Sequence, residues 1–347
     1  MKNEGSMTSI LKYNQAKMKI FQLIADQHLK IGDRLPPERD LVENFELSLI
    51  TVRRAMHELE EENIIERRPR MGTYLKQSIA QIPELGRILY LKIYKTEYGE
   101  NIFLDTMVQE VEFQLKKEHI RLLYHSAVSP SLEIAEAAAE CLGIFVTGWL
   151  DAGWRDFLKS LGLPIMVIGS NPYPDVFSTV SYDMRTAAEL CHHALLEQGC
   201  ARTALVNGGP TYLPALEIHK GFMKAAKSHS LKPSSVPTLW SGQSGIKMFL
   251  TDFLREHPDL DGILLESGEF DAILGCLWQM NYRRELKLAV IVDNVNVIRP
   301  FSTVPGGIAA YFEQSIPVLA VKRMLKNTSC EGQRITKDLI QPVLYYQ

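Results

Sequence analysis

The sequence predicts a multi-domain chain. A small N-terminal α+β unit, a helix–turn–helix carrying a two-stranded wing, is followed by a two-lobed α/β body with parallel sheets. Three observations predict it. At 347 residues the chain exceeds one ordinary domain and can bury a sizeable core. Residues 32–75 hold two short amphipathic helix patterns and then two short β-rich runs. From Arg87 onward short β-rich runs alternate with amphipathic stretches, an order that builds parallel sheets with helices on both faces.

The elements follow in order. Residues 11–29 carry Phe21, Ile24, Ala25 and His28 on one helical face, a third helix that closes the small unit, with His28 as a partly buried packing residue. Pro36 and Pro37 set the start of the next helix, because proline tolerates a first turn, and Leu41, Val42 and Phe45 give it an apolar face. Ser48 sits where an N-cap belongs, ahead of an apolar stripe of Val52, Ala55, Met56 and Leu59. Asn63 suits the left-handed position that ends this helix. Residues 64–67 and 73–75 are strands joined through Pro69, Arg70, Met71 and Gly72. The second helix turns Leu49, Thr51, Arg53, Arg54 and His57 away from its stripe, and arginines near the start of an exposed helix suit a major groove, where the guanidinium fork matches two acceptors on guanine.

The small unit is placed at residues 10–77, a linker at 78–86 where Pro83 and Gly86 interrupt the pattern, and the body at 87–347. Strands are predicted at 88–93, 120–124, 144–149, 165–168, 203–206, 262–265 and 288–292, with helices at 103–117, 132–141, 186–198, 215–229, 246–256 and 272–280. A break near 169–183 divides the body into two sheets, and ligands in such folds sit at the carboxyl ends of strands and between lobes.

Composition narrows the function. A 46% hydrophobic and 23% charged chain is that of a soluble globular protein. A net charge of −3 argues against indiscriminate coating of nucleic acid but not against a small reading head, which needs only local basic clusters such as Arg53-Arg54 and Arg67-Arg68-Pro69-Arg70, even with Glu58 and Glu60–Glu62 nearby. Cys141, Cys191, Cys200, Cys276 and Cys330 are scattered and odd in number, so buried free thiols are expected. With no apolar run behind Lys2 and no stretch near the about 20 apolar residues of a spanning helix, a cytoplasmic location with no membrane partner is expected. A dinucleotide site would place GxGxxG after the first strand of the body, where Tyr94 to Glu100 holds one glycine, and GxxxxGK[ST], HExxH and GxSxG do not occur. His192-His193 lacks cysteines or carboxylates at ligand spacing and reads as a solvated or packing pair. No catalytic, cofactor or metal residue is assigned, and the chain is not read as an enzyme.

Arg34-Leu35-Pro36-Pro37-Glu38-Arg39, Thr51-Val52-Arg53-Arg54-Ala55-Met56 and Gly72-Thr73-Tyr74 together resemble the winged helix-turn-helix of the GntR family of bacterial transcription regulators. The resemblance implies double-stranded operator DNA as a partner, with Arg34, Arg39, Ser48, Leu49, Thr51, Arg53, Arg54, Arg70 and Gly72 facing it. The family usually carries an arginine and then a polar residue after the serine; Leu49 and Ile50 stand there, and an aliphatic side chain packs on a thymine methyl rather than reading guanine. Arg70 stands where glycine is usual, placing a guanidinium for the minor groove beside Gly72. Arg53 is then the expected main base contact, while Arg34, Arg39, Ser48, Thr51 and Arg54 mostly fix the head on phosphates, one of the two helix arginines sharing base readout.

More diffusely, residues 87–347 resemble the effector-binding core of LacI/GalR regulators, which is periplasmic-binding-protein-like. The matching residues are Val180-Ser181-Tyr182-Asp183, Gln198-Gly199-Cys200-Ala201-Arg202, Gly221-Phe222, Val292-Asp293-Asn294 and Pro300-Phe301-Ser302-Thr303-Val304. The resemblance implies chain crossings between lobes near 183, 300 and 328, a homodimer, and a small carbohydrate-like effector in the interlobe cleft. Trp240 and Tyr182 are the implied apolar plates and Asp293 the implied polar group; Asp151, Tyr98 and Phe103 are positional candidates for which ordinary packing is an equal reading. The arginine that often holds effector hydroxyls is Ile218 here, and Glu269-Phe270 replaces an Asn-Asp pair, so a neutral or amine-bearing sugar is expected rather than a phosphosugar or sugar acid. Helices 103–117 and 132–141 are candidate dimer surfaces. The expectation is an effector-controlled repressor; the alternatives are a constitutive repressor with a degenerate sensor lobe, or an enzyme fused to a DNA-binding head.

Overall fold

The computed structural model describes residues 4–78, 84–95, 102–240, 247–266, 270–280, 286–292, 307–329 and 335–346. The chain divides into two units, Met1–Val180 with Pro317–Lys337, and Ser181–Ile316 with Asp338–Gln347. Where the sequence places crossings near 183, 300 and 328, the units divide after Val180, Ile316 and Lys337. The later two lie further along because one C-terminal helix belongs to the first unit from Pro317 onward, where Met324 packs against Gly143 so closely that an added methyl there would sit 2.7 Å from its sulfur.

The first unit begins with the head. Helix α1 (Glu4–Asp26) buries Ala16, Ile20, Phe21 and Ile24. The expected face through Ala25 and His28 is corrected: α1 ends at Asp26, Ala25 is exposed, and His28 is an exposed turn residue at φ 51°. The apolar spacing runs on past the point where the backbone leaves the helix. Helix α2 (Glu38–Phe45) follows Pro37, buries Leu41 and Phe45 and is closed by Glu46 in the left-handed region. Helix α3 (Leu49–Glu61) starts at Ser48, whose hydroxyl accepts from Thr51 N at 3.2 Å, and Asn63 takes φ 58° just beyond its end. The wing strands β1 (Ile65–Arg68) and β2 (Gly72–Leu75) pair antiparallel. Residues before α2 extend this ribbon: Gly32 N donates to Leu75 O at 2.8 Å, Leu75 N to Asp33 O at 2.9 Å and Leu35 N to Thr73 O at 2.9 Å. The backbone thereby fixes the wing against the start of α2.

Behind the head, a six-stranded sheet runs in the order β13-β7-β6-β5-β3-β4. Its strands are β3 (Gly86–Ile93), β4 (Ile120–Ala127), β5 (Ile144–Gly148), β6 (Ile165–Ile168), β7 (Ser178–Tyr182) and β13 (Lys337–Ile340), and β3 to β7 are mutually parallel. Helices α4 (Ile102–Lys117), α5 (Leu132–Ala139) and α6 (Ala152–Ser160) connect them. The second unit repeats the plan in the order β14-β12-β11-β10-β8-β9, with β8 (Thr203–Asn207), β9 (Thr238–Trp240), β10 (Gly262–Glu266), β11 (Lys287–Val292) and β12 (Ile308–Tyr311) parallel and β14 (Val343–Tyr346) antiparallel at the edge. Its helices are α7 (Met184–Glu197), α8 (Leu213–Ser228), α9 (Lys247–Glu256) and α10 (Phe270–Gln279); α11 (Ile316–Ser329) then leads back to the first unit. Helix α6, helix α11 and the strands β7, β9, β12, β13 and β14 were not among the elements assigned from periodicity.

Helices α7 and α8 pack at very short range. A methyl on Gly221 would lie 2.0 Å from the carbonyl oxygen of Arg185, so this position has room for glycine alone. The neighbouring Phe222 ring stacks on His192 at 3.9 Å. His192 is fully buried, with Nδ1 2.8 Å from Phe222 O and Nε2 2.8 Å from Thr203 Oγ1. A carbonyl only accepts, so Nδ1 carries the proton and the threonine hydroxyl donates to Nε2. His192 is thus a packing residue with both nitrogens satisfied in the neutral form. Its neighbour His193 is half-buried and lies 2.9 Å from His229 Nε2.

Burial holds the His192 imidazole down to about 4 from its ordinary 6.5. Between those values the unfolded chain takes up a proton that the folded chain does not, so stability falls as pH falls through this window, by about 3 kcal/mol for this group. Urea unfolding at a series of pH values is expected to show that loss, and His192→Gln should flatten the slope while lowering stability at pH 7.

Candidate nucleic-acid interface

The exposed face of α3 is the one expected. Leu49 is 38% and Ile50 82% exposed, so two aliphatic side chains lead the helix into solvent. Ser48 and Thr51 are held to each other, hydroxyl to hydroxyl at 2.7 Å, and Ser48 also caps the helix. A capped N-terminus offers its remaining N–H groups and its dipole to an anion.

The arginines fall into two classes. Arg53 gives its Nε to Glu38 Oε2 at 3.0 Å while the side chain stays 62% exposed, which leaves both terminal nitrogens for an acceptor pair. Glu38 uses its other oxygen on Arg67 Nη2, also at 3.0 Å, and Arg67 Nε lies 3.6 Å from Glu60. One carboxylate from the first turn of α2 therefore clips the recognition helix to the wing. Arg68 is engaged by Glu66 at 3.1 Å and lies 4.4 Å over the Tyr74 ring. The basic run at 67–70 is thus not a free cluster, because its first two members are already paired with carboxylates of the head. Arg54 pairs with Glu58 at 3.6 Å and lies 4.8 Å over the Tyr13 ring. Among the described residues no carboxylate is paired with Arg34, Arg39 or Arg70.

The wing turn places two of those free cations. Arg70 is exposed at φ 62°, a conformation that costs a non-glycine residue energy. Gly72 has φ 117°, and a methyl on it would meet Arg34 Nε at 2.5 Å. Glycine is needed there for the backbone and for the Arg34 side chain that lies across it. Glu38 was missed in the sequence; its only signal was its place directly after Pro37, at the start of the helix preceding α3.

The candidate effector residues are placed unevenly. Tyr182, at the end of β7, stacks one ring face on Phe312 at 4.0 Å and 17°. Trp240 ends β9 with the His219 imidazole at 5.0 Å. Asp151 is exposed but committed: it caps α6, accepting from Trp154 N at 2.9 Å. Phe103 lies in the first turn of α4, and its side chain lies outside the described residues, as do Tyr98 and Asp293. Ile218 is fully buried and belongs to the core, so it does not line a cleft as the sequence suggests. His219, which follows it, was missed and carries the polar atoms beside Trp240; burial lowers its pKa, favouring the neutral ring.

Comparison with known proteins follows this division. Residues 12–75 match the family described as bacterial regulatory proteins, gntR family. The HTH-type transcriptional repressor PhnF of Mycolicibacterium smegmatis is 32% identical over 99 residues, 24% of this chain and 40% of that protein. The chain thus spans less than half the length of this curated relative. Among solved structures, the CelR–cellobiose complex has a TM-score of 0.60 at 15% identity, covering 86% of this chain and 89% of that one. The Cra dual regulator of Pseudomonas putida with fructose 1-phosphate has 0.59 at 17% identity, covering 75% and 98%.

Specific binding to a duplex separates the two arginine classes. Arg53→Ala is expected to relax base discrimination by about 1–3 kcal/mol, whereas Arg34→Ala should weaken all sequences alike, as read by anisotropy titrations on matched and mismatched duplexes. Residues 12–75 are a GntR-type helix-turn-helix domain, joined to a two-lobed body with the fold of LacI-type regulators.

Proposed function

We propose that the protein is a sequence-specific DNA-binding transcription regulator, a repressor, whose operator binding is set by a small carbohydrate-like effector. The observation that carries the DNA-binding part is Arg53, oriented by Glu38 with its terminal nitrogens outward on an exposed, capped helix. The nine DNA-facing residues named from the sequence lie on α2, α3, the wing and the segment preceding α2. The test is a gel shift on the DNA upstream of its own gene. A retarded band competed by the same duplex and not by calf-thymus DNA is expected; equal competition by both overturns sequence-specific reading.

The effector reading rests on Trp240 and Tyr182, two aromatic faces at the carboxyl ends of strands. Neutral His219 beside Trp240 offers hydrogen bonds without a fixed positive charge, which favours a neutral or amine-bearing sugar over a phosphosugar. A thermal-shift screen of free sugars, amino sugars and phosphosugars tests it. At 100 times its dissociation constant a ligand adds about 2.7 kcal/mol of stability. Stabilisation by phosphosugars alone overturns the chemistry proposed, and stabilisation by none favours the constitutive repressor. No motif or site geometry favours an enzyme fused to the head.

A pseudo-palindromic operator calls for a dimer, two heads reading half-sites about one or two helical turns apart. The second unit exposes an apolar surface for it on neighbouring helices: Trp278, 84% exposed, with Leu274 on α10 and Phe249 on α9. Phe113 on α4 and Leu132 on α5 are exposed in the first unit. Trp278→Glu is expected to shift the protein towards monomer in sedimentation at micromolar concentration. An unchanged dimer moves the interface to the α4–α5 face.

A further inference from the structure

Helix α1 lies outside the helix-turn-helix, yet it touches α3 through more than packing. Tyr13 donates its hydroxyl to Glu58 Oε2, and one turn further along both helices Lys17 meets Glu62 Oε1 at 2.5 Å. The rungs advance together by four residues, so the two helices run parallel with matched registers at this rim. A third tie, Lys19 Nζ to Phe45 O at 2.7 Å, closes the carboxyl end of α2.

The Tyr13 rung bears on DNA contact because it meets Arg54 twice. The guanidinium carbon lies 4.8 Å above the phenol ring, and the carboxylate that accepts from the phenol has its other oxygen 3.6 Å from Arg54 Nε. Arg54 is otherwise exposed on α3, and an exposed pair four residues apart on one helix is too weak to hold an arginine in one rotamer. With the ring beneath it and the carboxylate at Nε, the guanidinium keeps its two terminal nitrogens without a partner among the described residues. The phenol keeps its proton, since burial and then the Glu58 carboxylate push its pKa upward, so it remains a donor at all working pH values.

We propose that Tyr13 is a positioning residue for DNA binding: it holds Glu58 and the face of the Arg54 guanidinium so that Arg54 meets a phosphate oxygen without a search of rotamers. This rests on the reading head proposed above. It assigns part of the affinity to a residue that never touches the nucleic acid, and it explains why Arg54, though paired, is still presented outward.

The test is a double-mutant cycle on the full chain, using a 40-bp duplex selected by the wild-type protein from a random library, about four helical turns and long enough for two half-sites. Anisotropy is read over a series of KCl concentrations. Arg54→Ala is expected to reduce the slope of log affinity against log salt by about 0.9, the mark of one lost phosphate contact. Tyr13→Phe keeps the ring and removes the hydroxyl; it should weaken binding about two- to tenfold, the range for ordering one rotamer-rich side chain. In the Arg54→Ala background the same change should do nothing. Glu58→Gln serves as a second variant and should lose its effect in that background too. A Tyr13→Phe that binds as wild type, or a loss that persists undiminished without Arg54, overturns the positioning role. A wild-type chain that selects no duplex overturns the reading head itself, an outcome distinct from the other two.

Discussion

One carboxylate shared by two arginines sets the geometry of the reading head. Glu38 sits at the start of α2, Arg53 on α3 and Arg67 on β1, so this one side chain ties three elements together. As a contribution to stability the network is small, because solvent-exposed ion pairs are worth about 0–1 kcal/mol each. Its consequence is directional. A guanidinium fork held at Nε has only its terminal nitrogens left to offer, which is the arrangement a guanine edge requires. The same exchange limits the total attraction to DNA, since Arg67 is paired with Glu38 and Glu60 and Arg68 with Glu66, so both bring little net charge to a phosphate.

The wing turn carries a cost that the clip alone does not explain. Arg70 at φ 62° occupies a region where a side chain is disfavoured by about 1–3 kcal/mol, and a glycine would avoid it. The strain is sustained because the turn is over-determined on both sides. β1 and β2 are in register, and the segment before α2 adds a third backbone line through Gly32, Asp33 and Leu35. Gly72 then leaves the space that Arg34 fills. A cation at the tip and a second beside it are what this arrangement yields in exchange for the strain.

Much of the head was legible because its signals are local. Ser48 as a cap, the Val52, Ala55, Met56 and Leu59 stripe and Asn63 in the left-handed region each follow from a few neighbouring residues, and the structure has all three. Several failures come from pairings that cross between elements. Glu58, Glu60 and Glu62 read as acidic background among arginines, yet each is matched to a cation on its own or another element: Arg54, Arg67 and Lys17. In the body, β13 and β14 lie beside β7 and β12, far earlier in sequence, and their short half-exposed runs give no periodic signal of their own. Ala25 and His28 fail the other way, since a stripe in the sequence says nothing of where the backbone turns. Ile218 stands where relatives carry an effector-holding arginine, and only its burial shows that it belongs to the core.

The aromatic residues of the second unit constrain what an effector can do. Tyr182 stacks on Phe312, and Trp240 meets His219 at a tilt of 42°, so both rings are braced by another ring of the same unit. Such prepacked plates lose little entropy on binding and favour affinity. Affinity is not control, however. A ligand held only by surfaces that are the same in both states of a regulator binds the two equally and shifts nothing, however tightly it binds. A change of operator occupancy by a factor of ten requires about 1.4 kcal/mol of differential binding, and this must come from groups whose positions differ between states rather than from rings braced within one unit. In the proposed site the two aromatic faces would select the class of ligand, while the response would belong to the directional contacts such a ligand makes around its rim.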